Sequence, residues 1–267
     1  MVLFLCYYDF GGFMEKLKEY FSGYKFFSDD HHYELDGVRV GTSVTTLIHD
    51  YTNPFDKDKV AFNQAIKYGV DKEEILENWR IENLFSTIKG TLVHEYAQGL
   101  WNGEVVLPNY EEIEEIDIER LKRAFEKSSK QALKFYEENK HNLEVFADEF
   151  IVGSREYDVA GSIDNLLYDK EKQGLILIDY KTNKEIKRNS FGSKKMLSPL
   201  DNIEDCNYNH YCLQLNIYKY LIEKYTDTKI KSTFIVYFDE NKDDYEKIRI
   251  KNYKEEAIKL LETRRVL

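Results

Sequence analysis

The sequence predicts a mixed α/β domain. Two stretches of alternating apolar residues, 158–167 and 175–181, are joined by the polar run Tyr168-Asp-Lys-Glu-Lys-Gln-Gly174, the pattern of a β-hairpin closed by a glycine. The segment 111–140 instead repeats Ile113, Ile116, Leu121, Phe125, Leu133 and Tyr136 at helical spacing. Only three prolines occur in 267 residues, so long ordered elements are expected. That length can bury a sizeable core, as one large domain or one domain with a helical extension. The composition is globular, at 42% hydrophobic and 33% charged, with no low-complexity tract or internal repeat.

Residues 9–27 read as a short amphipathic helix, with Phe13, Leu17, Tyr20 and Phe21 on one face, followed by an aromatic-rich connection. Tyr33 to Val40 is a small hairpin turning at Asp36-Gly37. Gly41-Thr-Ser-Val-Thr-Thr-Leu-Ile48 opens a helix behind a capping Thr or Ser. Asp56 and Asp71 precede helical runs over 56–67 and 71–80, as N-caps do, and 81–101 is a further helix carrying His94. The segment 111–140 is an outer helix whose many acids form a solvated face. Strands are then expected at 143–152, 158–167 and 175–181, a helix at 208–225, strands at 231–238 and 245–250, and a closing helix at 254–264. Residues 1–140 are thus a mainly helical part packed on a core of residues 141–267, the two forming one structural unit. The loop 183–207 is long for a compact domain, and such loops are usually functional or disordered. It reads as a strand-contacting or gating loop, mobile without substrate.

Within the hairpin, Asp179 and Lys181 are two residues apart, so both point to the side of Leu175 and Leu177. If the turn is symmetric about the midpoint of Glu171 and Lys172, facing residue numbers sum to 343 and Asp164 lies opposite Asp179. Directly opposed side chains have Cβ atoms roughly 4.5–5.5 Å apart, and like charges placed there destabilise the pair. Two carboxylates on a half-buried face either raise a pKa or share a cation. The neighbouring lysine favours the cation, because phosphate chemistry combines a metal with a nearby positive charge. A salt-bridged trio that merely braces the hairpin would leave a surplus negative charge, so a bound cation is the better account.

Gly161-x-x-Asp164 followed by Asp179-Tyr-Lys181-Thr182 resembles the signature of the PD-(D/E)XK nucleases, in the GxxD and DYKT form of their RecB-like branch. Gly90-Thr91-Leu-Val-His94 resembles that branch's GTxxH motif, and Gln214-Leu-Asn-Ile-Tyr218 its QxxxY motif. Each is weak alone. Four in the right order, spanning residues 90–218 and about half of the chain, are specific. The resemblance implies a restriction-endonuclease-like αβββαβ core, a mixed sheet flanked by helices, whereas periodicity alone supports only a mixed α/β domain.

The resemblance also implies roles. Asp164 and Asp179 coordinate Mg²⁺ or Mn²⁺, with His94 as a further ligand and the Tyr180 backbone carbonyl as an added oxygen; an imidazole with two carboxylates suits Mn²⁺ well. By its surroundings alone His94 would more often be a packed core residue. Lys181 orients the attacking water or stabilises charge building on the phosphate. Gln214 and Tyr218, one helical turn apart, support the site and approach the nucleic acid, although by residue type Tyr218 reads as core and Gln214 as surface. Lys184, Lys187 and Arg188 are candidates for flanking phosphates. Glu149 resembles the acid found on the first strand and stays open between a ligand role and an ordinary surface charge.

The implied function is metal-dependent hydrolysis of DNA phosphodiester bonds. Single-strand exonucleases of this branch, acting with replication, recombination or repair proteins, carry the same motif set, and a phage or bacterial source fits. The alternatives are a structure- or sequence-specific endonuclease and a catalytically silent nucleic-acid-binding subunit. Net charge of −11 argues against coating nucleic acid by bulk attraction. Between Lys181 and Lys195, however, six basic residues face one acid, Glu185. Three cysteines, Cys6, Cys206 and Cys212, form no paired framework, so a reduced cytoplasmic setting is the simplest reading. Some RecB-like relatives hold an iron–sulfur cluster on four cysteines, which three cannot reproduce. Cys206, His210 and Cys212 fit no zinc spacing. The apolar Met1–Phe10 lacks a basic leader and is too short to span a bilayer, so no membrane partner is expected.

Overall fold

The computed structural model describes residues 10–266, with side chains from residue 15 onward. The apolar segment before Phe10, Cys6 and the side chain of Phe13 lie outside the described residues. Helix α1 (Phe10–Phe21) buries Leu17 and Phe21. Strands β1 (Tyr24–Phe27), β2 (His32–Leu35) and β3 (Val38–Arg39) form a small antiparallel sheet. Its β2–β3 turn puts Asp36 and Gly37 at φ of 52° and 79°, the paired left-handed conformation of a tight hairpin. Strand β4 (Thr42–Ser43) leads into α2 (Val44–His49), whose Thr46 amide donates to the Ser43 hydroxyl.

Three aspartates start the next helices by accepting first-turn amides: Asp56 for α3 (Lys57–Tyr68), Asp71 for α4 (Lys72–Asn102) and Asp117 for α5 (Ile118–Asn139). Two boundaries differ from the sequence reading. The runs 71–80 and 81–101 are one helix of 31 residues, since neither glycine nor proline interrupts it near Arg80. The segment 111–117 precedes α5 as a turn, and its Ile113 and Ile116 pack beside Phe85 and Leu121.

Strands β5 (Leu143–Ser154), β6 (Val159–Asp169) and β7 (Gly174–Lys181) follow in antiparallel succession. Helix α6 (Asn207–Tyr225) then crosses to β8 (Ser232–Tyr237), which runs parallel to β7. Strand β9 (Glu246–Arg249) closes the edge antiparallel to β8, and α7 (Lys254–Glu262) packs on α6. The mixed sheet flanked by helices is the architecture expected. In the β6–β7 hairpin the pairs from Asn165↔Ile178 to Asp169↔Gly174 all sum to 343. The turn itself is shorter than the polar run, and Gln173, not the glycine, takes the left-handed backbone at φ 49°.

The sheet separates two apolar layers, and β7 alternates between them. Ile176, Ile178 and Tyr180 face α4 and α5 with Val93, Ala97 and Phe135, whereas Leu175 and Leu177 face α6 with Leu213 and Ile217. The edge of β6 that lies opposite β5 is shared. Its Asn165–Asp169 end pairs with β7, its Val159–Ala160 end pairs with β4, and the residues between have no strand partner on that edge. The loop 183–207 is pinned to the core by buried Met196, Leu200 and Ile203, and the Leu197 amide donates to Tyr51 O. Among the described residues no helix is long and apolar enough to cross a membrane.

Candidate active site

The hairpin ladder stops one pair short of Asp164 and Asp179. There the Tyr180 amide, which the continuing ladder would have used, donates to Asp164 Oδ2 at 2.7 Å. The two strands part at that point. His94 enters from α4, its Nδ1 3.5 Å from Asp164 Oδ2 and its ring edge-on to Tyr180. From the α6 face, Lys181 Nζ lies 2.7 Å from Asp179 Oδ2 and 4.7 Å from the centre of the Tyr211 ring. The opening of the sheet thus lets side chains from both faces approach one another.

The electrostatics follow from burial. Removal from water pushes the Asp164 carboxyl up to about 6, against the opposing pull of Lys181 and the Tyr180 amide. Burial, reinforced by the Asp164 charge, pushes Asp179 up to about 6 although Lys181 pulls it down. Burial and the Lys181 charge hold His94 down at about 4, so its imidazole is neutral at physiological pH. Burial alone would lower Lys181, but Asp179 and Asp164 overcome it and hold the ammonium above its ordinary value. Two acids with one cation leave an excess of negative charge.

That donor set, a neutral imidazole and two carboxylates, fits a divalent cation in kind. Asp179 Oδ2 is buried and, despite its contact with Lys181, makes no well-formed hydrogen bond, which is the mark of a group left for another partner. Among the described residues no group of three or more His, Cys, Asp or Glu stands in a geometry that could hold a metal. His94, Asp164 and Asp179 therefore approach one another without forming a closed cage.

Glu149 of β5 acts electrostatically on both Asp164 and His94. Its backbone is left-handed at φ 44°, and its carboxylate accepts from Gln98 Nε2 at 2.5 Å and Ser162 Oγ at 2.8 Å. With Thr91 and His94 it lines a cleft of 440 Å³. Gln214 Nε2 donates to Tyr218 Oη at 3.1 Å, and both are buried. Tyr218 fills the space beside Gly161, where a Cβ would lie 2.7 Å from the ring. Gly90 faces Thr182, and a Cβ there would meet Thr182 Oγ1 at an ordinary 3.4 Å. Lys184 and Lys187 line a separate cleft of 920 Å³ beyond Thr182, with Phe191 on its rim. Arg188 lies over the Tyr208 ring, 3.9 Å from Glu246.

Four neighbours had no motif to mark them. Gln98 and Ser162 fix Glu149, Tyr211 covers Lys181, and Trp101 Nε1 donates to Tyr180 Oη at 3.0 Å. Gln98 is four residues after His94 on the same helix, a spacing that could have found it. His210 is tied to Asp205 at 2.8 Å, and Cys206 and Cys212 are free and buried.

A family model of the PD-(D/E)XK nuclease superfamily matches residues 68–265, from the end of α3 through α7. The chain belongs to the PD-(D/E)XK nuclease superfamily. The match takes in every residue of the opening described above. No curated protein is significantly similar. A solved structure titled "Crystal structure of SSO0001" is similar at 19% identity over 54% of this chain, with a TM-score of 0.28. The alignment spans 61% of that structure's chain, and so loose a likeness carries no argument about this PD-(D/E)XK protein.

Proposed function

We propose that this PD-(D/E)XK protein is a divalent-metal-dependent deoxyribonuclease of the RecB-like kind, an exonuclease of single-stranded DNA serving replication, recombination or repair. The observation that supports it is the approach of His94, Asp164, Asp179 and Lys181 at the parting of β6 and β7. His94, Asp164 and Asp179 would hold the cation, Mg²⁺ or Mn²⁺. When bound, such an ion polarises the scissile phosphate and lowers the pKa of bound water.

The chain's own groups do the rest. The Lys181 ammonium, fixed between Asp179 and the Tyr211 ring, supplies positive charge where the phosphate gains negative charge. The Tyr180 amide fixes one Asp164 oxygen and so orients the other. His94 stays neutral and keeps a lone pair available. Lys184 and Lys187 are suited to phosphates next to the scissile one. The single-strand preference is supported by Phe191, 94% exposed on the rim of the same cleft, since single strands are bound by cations paired with aromatic rings.

The test is a panel of labelled linear and circular, single- and double-stranded DNA with Mg²⁺ or Mn²⁺. Degradation of linear single strands, lost in Asp179→Asn, is the expected result. Cutting of circles would favour an endonuclease. Divalent-ion binding with no cleavage of any DNA or RNA would favour a silent binding subunit.

A further inference from the structure

A cleft of 650 Å³ opens between α6 and the β8–β9 edge of the sheet. It lies at the far end of β7 from the site, where Ile176 pairs with Ser232. At about 3.3 Å per residue, the length of β7 separates Lys172 in its leading turn from Lys181 by more than roughly 20 Å.

Lys231, Lys247, Arg249, Lys251 and Lys254 line this cleft, and among the described residues none has a carboxylate within salt-bridge reach. Two further cations, Lys172 and Lys219, have partners in Asp169 and Glu223. Glu223 is the one acid of the lining, and it also accepts the Ile230 amide at 3.0 Å. Unpaired like charges raise each other's energy. Lys247 Nζ lies 3.9 Å from the centre of the Phe234 ring, and burial first, then the neighbouring Lys172, lower its ammonium from the ordinary value against the pull of Asp169. In a chain of net charge −11 this concentration needs a reason. Lysines on an edge strand discourage sheet-to-sheet association, which accounts for Lys247 and Arg249 on β9. It does not account for Lys231, Lys251 and Lys254, which lie off that strand.

The cleft also connects with the basic loop behind the site. The Tyr208 ring lies 4.7 Å from Arg188 Cζ and 5.6 Å from Lys251 Nζ. Tyr208 is further tied to the loop by its amide, which donates to Lys187 O. Cations from the two regions therefore meet over one aromatic ring.

We infer that this cleft is a second binding site for phosphodiester backbone, holding a distal stretch of the nucleic-acid strand whose other part lies at the candidate active site, with Arg188 and Lys251, packed on the buried Tyr208 ring, as the junction. The strand's path rests on the nuclease reading, but the cleft's cations take no part in the proposed chemistry.

The test is fluorescence anisotropy in EDTA across a salt series, with labelled oligothymidylates of about 6 and about 20 nucleotides, near the lower end of and above common single-strand footprints. The exposed triple variant Lys247→Gln, Arg249→Gln, Lys251→Gln is compared with wild type, and Lys231→Gln with Lys254→Gln provides a second variant on other elements. Loss of three phosphate contacts should lower the slope of log affinity against log salt by about 2 for the long oligomer. Its affinity should fall about tenfold, with the short oligomer unaffected. Equal slopes for variant and wild type would overturn the inference, as would equal losses on both lengths. Tripolyphosphate binding that disappears in the variants while the long oligomer binds normally would mean a site for a free anion, and would overturn it too. Cleavage of the short oligomer, retained in the cleft variants and lost in Asp179→Asn, reports on the active-site reading alone.

Discussion

Asp164 Oδ2 takes the Tyr180 amide at 2.7 Å, so a carboxylate replaces a ladder bond at the point where the hairpin opens. An acid is thereby buried where a neutral acceptor would be cheaper. Its carboxyl is held at about 6, above the ordinary 3.8. Between those values the folded state binds more protons than the unfolded chain. Its stability therefore falls as pH rises through that window and stays lowered above it. Asp164→Asn keeps an oxygen for the amide and removes the charge. At pH 7 without metal the variant should be more stable than wild type by about 1–2 kcal/mol, and at pH 4 the difference should vanish. His94, lowered to about 4, acts in the opposite sense up to its ordinary 6.5, but it is present in both proteins and largely cancels in their difference. Chemical denaturation in EDTA at both pH values checks this, and the variant should not cleave.

Lys181 is held charged by Asp179 and Asp164 against its own burial. Lys181→Ala should lower cleavage by about 100-fold or more while DNA affinity, measured by anisotropy with Ca²⁺ in place of Mg²⁺, changes only a few-fold. Full cleavage by the purified variant would remove the lysine from the mechanism.

The two motif glycines are not equivalent. A Cβ at Gly161 would lie 2.7 Å from the buried Tyr218 ring, whereas one at Gly90 would make only ordinary contact with Thr182. Gly161→Ala should lose about 1–3 kcal/mol through overpacking and most of its activity. Gly90→Ala, in the interior of a helix, should be neutral or gain up to about 1 kcal/mol. Thermal melts of the two variants side by side decide the point.

Glu149 combines a left-handed backbone with two hydrogen bonds from Gln98 and Ser162. Glu149→Gly relieves the backbone and forfeits the bonds, effects of about 1 kcal/mol each and of opposite sign. Stability should therefore change by less than about 1 kcal/mol. A cleavage rate that falls tenfold or more would mark the carboxylate as part of the site, and an unchanged rate would make it a surface charge.

The hairpin, its register and the helix following it were legible in the sequence because they rest on local patterns: alternation in Leu175–Tyr180, a short polar turn, and a run from Asn207 without a break. The motif residues could be named only through the family resemblance, since by residue type alone His94 and Tyr218 read as core. The opening that separates the strands was not legible. Its far boundary is Thr42 and Ser43 pairing with Val159 and Ala160, a two-residue contact between distant segments with no periodicity to announce it. Tyr211, Ser162 and Trp101 were silent because common residue types become informative only once the fold brings them beside Lys181, Glu149 and Tyr180. In the loop 183–207 apolar type did not separate the anchors from the rest, because Met196, Leu200 and Ile203 are buried whereas Phe191 and Leu197 are exposed.

The unpaired stretch of β6 is bounded on one side by β7 and on the other by β4, just after Gly41. The Gly41 amide is held by Asp158 at 2.8 Å, and a Cβ at residue 41 would fall 1.9 Å from that carboxylate and 2.7 Å from Arg264. A side chain there would push the Asp158 carboxylate aside and break the bond that ties Gly41 in front of the strand framing the aperture. Tolerance to change at a glycine more than a hundred residues upstream of the acids would thus be set by how wide that doorway must stand.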